Sequence, residues 1–231
     1  MSPVLDCRDA DQLLPALRQA RQAIGRGELI VMPTDTVYGV AADAFNASAV
    51  ARLLAAKGRG RQSPPPVLVS GPDTMRALVA EVPEPVDRLV ERFWPGGLTI
   101  VLPAQPSLRW DLGETRGTVA VRMPDDAFAL ELLQETGPLA VSSANLTGKP
   151  AALEIDSAIE MLRDSISVYL DGGLVDTGVA STIIDATGLV GRDPRPVTVL
   201  RDGAVSRAAL REVLGDLLEP DPVSPDESDD A

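Results

Sequence analysis

Short apolar runs alternate with helical patterns along most of this chain, and that alternation restricts it to an α/β fold. The runs have the length of buried strands and end at proline, glycine or polar residues. They cover residues 29–32, 67–69, 98–102, 118–122, 139–142, 168–170, 181–185 and 197–201. Several strands near the C-terminus follow one another directly, which favours a mixed sheet over a strictly doubly wound parallel one. We therefore predict a twisted mixed β-sheet with flanking helices.

Apolar residues at helical spacing predict the helices between these strands. The first set is Leu13, Leu14, Leu17, Ala20 and Ile24, and Asn46 is a candidate N-cap for the next helix. Further helical patterns lie at about 73–80, 84–93, 126–135, 154–163 and 206–218. No segment before residue 219 has the composition of a linker, so we assign residues 1–218 to a single domain.

The charge of the chain is strongly acidic and unevenly distributed. Its 231 residues carry a formal net charge of −13, and residues 219–231 alone hold six acids and no base. This segment also has three prolines, so we predict an acidic disordered tail. No apolar run approaches the roughly 20 residues of a membrane span. The N-terminus lacks a basic-then-apolar signal pattern, which indicates a cytoplasmic protein.

The chain contains no histidine and only one cysteine, Cys7. This excludes Ser-His-Asp and Cys-His catalysis, His-ligated metals, thiolate zinc clusters and an internal disulfide. The Gly58-Arg59-Gly60 segment fails as a dinucleotide fingerprint because Ser63 stands where glycine or alanine is needed, and no GxxxxGK[ST] loop is present. Any chemistry therefore depends on carboxylates, hydroxyls, amides, lysine and arginine.

Polar residues follow several predicted strands, where open α/β sheets bind ligands. Residues 33–40 carry two threonines and Asp35, although turn chemistry explains these residue types equally well. Arg122 ends a strand and either clamps a carboxylate or extends to solvent. Residues 141–148, VSSANLTG, bring backbone N–H groups to an anion or form an ordinary connection.

Positive charge gathers in one short segment, KGRGR at residues 57–61. Cations there complement a helix C-terminus, but three cations alternating with glycines also suit a polyphosphate. The residues Ser181 and Arg195 are weaker candidates, since each has a plain structural explanation.

In this order, the segments PTDTVYGV, KGRGR, WPGGLTIVL, VAVRMP, SSANLTGKP, STIID and VLRDG resemble the YrdC/TsaC family of threonylcarbamoyl-AMP synthases. The resemblance covers about residues 10–215. It implies a single α/β domain around a concave basic cavity. It also implies synthesis of threonylcarbamoyl-AMP and pyrophosphate from L-threonine, bicarbonate and ATP with its Mg²⁺. A tRNA threonylcarbamoyl-transferase complex would receive the adenylate.

The resemblance also implies site residues. Those expected at ATP are Lys57, Arg59, Arg61, Thr118, Ala144, Asn145 and Arg195, with Lys57 and Arg59 as the catalytic cations. Those expected at threonine are Thr34, Arg122, Ser142, Ser143 and Ser181. No protein side chain is expected to ligate a metal directly. One departure is Ser70, which lies close to where the family commonly has histidine.

Two other functions remain open from the sequence. One is a non-catalytic module that binds double-stranded RNA or tRNA in the same cavity, but few aromatic residues and a net negative charge argue against this as the main role. The other is a carbamoyl-transfer module like that of hydrogenase maturation proteins, which carry further domains.

Overall fold

The computed structural model describes residues 2–175, 178–191 and 194–221. Within these ranges ten strands form one sheet. The strands are β1 (Val4–Asp6), β2 (Ile30–Met32), β3 (Gly39–Asp43), β4 (Val67–Leu68), β5 (Leu98–Pro103), β6 (Thr118–Arg122), β7 (Leu139–Ser143), β8 (Val168–Asp171), β9 (Thr182–Asp185) and β10 (Thr198–Arg201). Their order across the sheet is β1-β8-β2-β3-β7-β4-β6-β5-β9-β10.

Parallel and antiparallel pairings both occur in this sheet. The β1–β8, β2–β8, β4–β6 and β5–β9 pairs are parallel, and the other pairs are antiparallel. The predicted mixed α/β fold is therefore confirmed. Strands β1 and β3 were not predicted. Residues 33–40, predicted as a turn or a ligand-binding segment, end in the first two residues of β3.

Seven α-helices connect the strands in the part of the chain that the structure describes. They are α1 (Ala10–Gly25), α2 (Ala47–Ala56), α3 (Pro72–Leu78), α4 (Glu84–Phe93), α5 (Ala127–Thr136), α6 (Ile155–Leu162) and α7 (Arg207–Leu214). The predicted N-cap is confirmed, because the Asn46 side chain accepts a hydrogen bond from the Ala49 N–H at 3.0 Å. None of the described helices is both long and apolar enough to cross a membrane.

The helices cover the two faces of the sheet, and strand alternation decides which residues they meet. Ile30 and Met32 pack with α1 and α5 on one face, whereas Val31 packs with α2 and α6 on the other. Helices α3, α4 and α7 pack against a third cluster around Leu98, Ile100 and Leu102 of β5. The intervening β5 residues therefore face away from that cluster.

Only the first residues of the predicted tail lie in the described part of the chain. Glu219 accepts from the Val199 N–H at 2.8 Å, and Asp221 pairs with Arg211 at 3.0 Å. These contacts attach residues 219–221 to β10 and α7. The prediction of a disordered tail otherwise concerns residues 222–231, which lie outside the described residues.

Candidate functional site

A cavity of about 520 Å³ opens on one face of the sheet. Leu68 and Val141 belong both to the α1/α5 core and to the cavity wall, so the cavity continues that sheet face beyond the two helices. Alternate residues of β5 and β6 line it, namely Thr99 and Val101, then Thr118, Ala120 and Arg122. Strand alternation thus directs these side chains to the cavity and most of their neighbours to the core, although Val119 belongs to both.

The sheet brings the predicted segments together. Strands β3 and β7 are antiparallel, with Gly39 opposite Ser143 and Val40 opposite Ser142. This register places the loop before β3 beside the loop after β7. Of the predicted site residues in the described chain, seven line the cavity: Thr34, Arg59, Thr118, Arg122, Ser142, Ser143 and Ser181.

Arg122 ends β6 and is held from three sides. Its Nε–H donates to the Gly96 carbonyl at 2.9 Å, its Nη1–H donates to Thr36 Oγ1 at 2.9 Å, and its Nη2–H pairs with the Asp35 carboxylate. Only 6% of the residue is exposed. Burial lowers the pKa of Arg122, and the nearby Asp35 opposes this shift. The guanidinium is therefore a fixed cation in the cavity wall, as clamping a carboxylate requires.

Thr34 lines the cavity and also forms the predicted turn. Its hydroxyl donates to the Val37 carbonyl at 2.7 Å and accepts from the Thr36 and Val37 N–H groups at 3.3 Å. The turn interpretation is therefore confirmed without removing Thr34 from the cavity.

Arg59 reaches the cavity because Gly58 turns the chain after α2. Gly58 has φ +64°, a left-handed conformation suited to glycine at a helix end. The Arg59 guanidinium then contacts the Thr147 hydroxyl at 3.2 Å and the Ser142 hydroxyl at 3.3 Å. Its position places a cation directly beside the SSAN segment.

Lys57 does not line the cavity, whereas the resemblance implied that its side chain lies at the ATP phosphates. It has no exposed surface. Its ammonium donates to the Ser143 carbonyl, to the Asn145 carbonyl at 2.7 Å and to Asn145 Oδ1 at 3.3 Å. Burial, with a smaller effect from Arg59, lowers the pKa of Lys57 to about 7. In this conformation Lys57 acts on the 143–145 segment and not directly on a ligand.

Ala144 and Asn145 are likewise inside the protein. Ala144 has no exposed surface, and its N–H donates to the Tyr38 carbonyl at 2.7 Å. The Asn145 Nδ2 group donates to the Leu146 carbonyl at 3.0 Å and to the Lys149 carbonyl at 2.6 Å. Both residues therefore shape the loop, and neither side chain lines the cavity.

Two predicted arginines also lie outside the cavity wall. Arg61 pairs with Asp111, at 2.9 and 2.8 Å for its two Nη groups. Arg195 is exposed, and its backbone N–H donates to the Gly188 carbonyl at 2.9 Å. The resemblance implied that both side chains face ATP, and the structure places neither of them in the cavity lining.

Arg201, at the end of β10, lines the cavity and was missed. It donates to the Ser181 carbonyl at 2.6 Å and to the Ser181 hydroxyl at 3.0 Å, and Ser181 lies 2.8 Å from the Thr99 hydroxyl. Burial and the nearby Arg59 lower the pKa of Arg201. The signal that identified Arg122, an arginine closing a strand, also applies to Arg201.

Most charged side chains among the described residues that line the cavity are basic, as expected for an anionic ligand. Arg59, Arg116, Arg122 and Arg201 line it, and Glu114 is the acidic residue among the described lining residues. Ser70, which lies close to where the family commonly has histidine, is not in the cavity wall. Its hydroxyl lies 3.4 Å from that of Thr74. Leu68 faces the cavity from the same segment, so this part of the wall is apolar.

Comparisons with known proteins agree with this geometry. The family model Sua5/YciO/YrdC, described as "Telomere recombination", matches residues 22–203. A Mycobacterium leprae protein named "Putative threonylcarbamoyl-AMP synthase" is 49% identical over 215 residues, which cover 93% of this chain and 95% of that protein. The Bacillus subtilis threonylcarbamoyl-AMP synthase is 36% identical over 87% of this chain and 57% of its own length.

A solved structure extends the match to three dimensions. Sua5 of Pyrococcus abyssi, complexed with L-threonine, superposes with a TM-score of 0.83 at 33% identity and covers 94% of this chain. This chain spans 62% of the length of that protein. Together with the cavity and its strand-end arginines, these matches place the chain in the Sua5/YciO/YrdC family.

Proposed function

We propose that this protein is an L-threonylcarbamoyl-AMP synthase. The observation that carries the proposal is one cavity in which a buried arginine, Arg122, and two further arginines, Arg59 and Arg201, face a common space lined by hydroxyls. The enzymes named above support it, since two relatives carry that activity in their names and a third has L-threonine bound.

Arg122 suits the amino acid. A fixed guanidinium binds a carboxylate through paired N–H donors. The hydroxyls of Thr34, Ser142 and Ser181 lie in the same cavity and offer hydrogen bonds to an amine or a side-chain hydroxyl. We assign the L-threonine carboxylate to Arg122 and the rest of the amino acid to these hydroxyls.

Arg59 and Arg201 suit the triphosphate of ATP, and their contacts with Ser142 and Ser181 would bring the phosphates next to the amino acid. Both guanidinium groups line the same cavity, Arg59 contributes to the lowered pKa of Arg201, and an anion between them would relieve their repulsion. Thr118 would lie beside the nucleotide. No group of three or more acidic or thiol side chains in the described ranges could hold a metal, so Mg²⁺ would enter with ATP, bound largely to its phosphates.

The reaction needs little covalent work from the protein. The threonine amine attacks bicarbonate and water leaves, giving a carbamate. A carbamate oxygen then attacks the α-phosphorus, and the bond to the bridging oxygen breaks to release pyrophosphate. Positioning and neutralisation of negative charge are the main contributions of such a site, which is consistent with a chain that lacks histidine.

The product would be passed to a tRNA threonylcarbamoyl-transferase complex, and we place the reaction in the cytoplasm. The RNA-binding alternative lacks a supporting observation, because the arginines described above converge in a cavity and do not form a broad basic face.

The test is to measure pyrophosphate release with ATP, bicarbonate and one amino acid at a time, and to identify the nucleotide product by mass spectrometry. Release that requires both threonine and bicarbonate, with threonylcarbamoyl-AMP as product, is expected. Serine and valine are matched controls, since each lacks one feature of the threonine side chain. Pyrophosphate release that does not depend on threonine or on bicarbonate would contradict the proposal. RNA binding without turnover would also contradict it.

A further inference from the structure

The cavity wall that contains Thr118 is attached to the rest of the protein by the residues just before it. The Trp110 ring stacks on Phe45, with ring centroids 5.4 Å apart and an interplanar angle of 26°. Leu112 is 2% exposed and belongs to the core around β5. Residues 114–116 then enter the cavity lining, so their position depends on how residues 110–113 are held.

Arg61 makes the connection between this segment and the end of α2. Its guanidinium forms a two-pronged ion pair with Asp111, at 2.8 and 2.9 Å. Its carbonyl accepts from the Glu114 N–H at 2.8 Å. Gly113 has φ +106°, and a Cβ added there would lie 2.6 Å from the Arg61 carbonyl oxygen. The two segments are therefore in direct contact through both side chain and backbone of Arg61.

The contact joins two walls of the same cavity. Arg59 and Gln62 lie on the side of Arg61, and Thr115 and Thr118 lie on the side of Asp111. The Thr118 hydroxyl donates to the Thr115 carbonyl at 2.8 Å, which ties Thr118 to the segment that Arg61 holds. The Arg61 side chain itself is outside the lining.

We propose that Arg61 is a positioning residue that, through its ion pair with Asp111, sets the spacing between the Arg59 wall and the Thr118 wall of the nucleotide site. The proposal rests on the proposed function, because ATP is the ligand assigned to those two walls. It differs from the expectation that Arg61 contacts the phosphates, since its guanidinium is paired with Asp111 and lies outside the cavity lining.

The experiment compares Arg61→Ala, Asp111→Ala and the charge exchange R61D/D111R in the full chain. Kinetic constants are measured for ATP and for threonine. Arg61→Ala and Asp111→Ala are each expected to raise the KM for ATP by about two- to fivefold, as suits an exposed ion pair. The KM for threonine stays constant, and the charge exchange restores the KM for ATP. Arg26→Ala is a matched control, because Arg26 forms a similar exposed pair with Glu28 at 2.7 Å, and it is expected to change neither constant.

A direct phosphate ligand would behave differently. Arg61→Ala would then raise the KM for ATP while Asp111→Ala would not, and the charge exchange would be as impaired as Arg61→Asp alone. Either result would overturn the proposal.

A second readout does not depend on turnover. The chain has two tryptophans; Trp94 is 9% exposed, so acrylamide quenching reports mainly on Trp110. Both single substitutions are expected to increase quenching, and the charge exchange to reverse it; unchanged quenching in both would overturn the role of the ion pair. A wild-type protein without threonine-dependent turnover would instead refute the proposed function and leave this readout valid.

Discussion

The Lys57 ammonium donates a hydrogen bond to the Asn145 carbonyl at 2.7 Å, across 88 positions of sequence. Asn145 in turn donates to two carbonyls of its own loop, and the Thr147 hydroxyl donates to the Lys57 carbonyl at 2.8 Å. The end of α2 and the loop after β7 are therefore one hydrogen-bonded unit. Because Arg59 and Ser142 face the cavity from this unit, its integrity determines the shape of the site.

Replacing Lys57 should damage this unit. Lys57→Ala leaves the Ser143 and Asn145 carbonyls without their donor inside the protein, and we expect the free energy of unfolding to fall by about 2–4 kcal/mol. Adenylate synthesis should fall about 100-fold, since small displacements of positioned groups are costly. Urea unfolding and pyrophosphate release measure the two effects. Lys149→Ala is the control, because it removes the other lysine of the chain, which is exposed. A Lys57→Ala protein with full activity would refute the assignment.

The burial of Lys57 also predicts a pH dependence of stability. Its pKa is about 7 in the folded protein against an ordinary 10.5, so between these values the unfolded chain binds a proton that the folded chain does not. The free energy of unfolding therefore gains a contribution that rises from about pH 7 towards 10.5, whereas below pH 7 the full cost of burying the charge is present.

The measurement is the free energy of unfolding of the wild type minus that of Lys57→Met, from pH 6 to 9. We expect this difference to increase with pH. This difference is needed because burial raises the pKa of Cys7 to about 12, which lowers stability as pH rises above the ordinary thiol pKa in both proteins. If this difference, wild type minus variant, stays constant or decreases as pH rises, Lys57 remains charged in the folded state.

Arg122 should control threonine and not ATP. Arg122→Lys keeps the charge but cannot reproduce the fork that contacts Gly96, Thr36 and Asp35. We expect the KM for threonine to rise about tenfold or more, with the KM for ATP within about twofold, which corresponds to loss of hydrogen bonds to a charged group. Steady-state kinetics with each substrate varied in turn check this. Equal rises in both KM values would place Arg122 outside the amino acid site.

Arg201 and Arg195 form a matched pair for the phosphate assignment. Arg201 lines the cavity, whereas Arg195 is exposed and outside the wall. Arg201→Ala should lower kcat/KM for ATP, through a loss of about 2–4 kcal/mol of transition-state stabilisation. Arg195→Ala should change kcat/KM for ATP by less than about threefold. The reverse order of effects would favour the assignment of Arg195 to the nucleotide.

Local patterns in the sequence determined most of the secondary structure. The apolar run at residues 98–102 and the side chain of Asn46 specify a strand and a helix start from neighbouring residues alone, and the structure has both. Strand β1 is different, because it is only three residues long and pairs with β8, far away in sequence. Its strand character comes from that pairing, so no local pattern predicted it.

The sequence by itself also identified the segments that surround the cavity, because the arginine, serine and threonine residues at predicted strand ends can be located from the sequence alone. Only the tertiary structure decided which side chains enter it. Lys57 and Arg59 are two residues apart, yet the left-handed turn at Gly58 leaves one buried under the Asn145 loop and the other in the cavity wall. The pairing of β10 with β9 likewise places Arg201 in the cavity wall, whereas Arg195, which precedes β10, is exposed. The direction of a side chain at such a turn depends on distant carbonyls and carboxylates, and local periodicity carries no information about them.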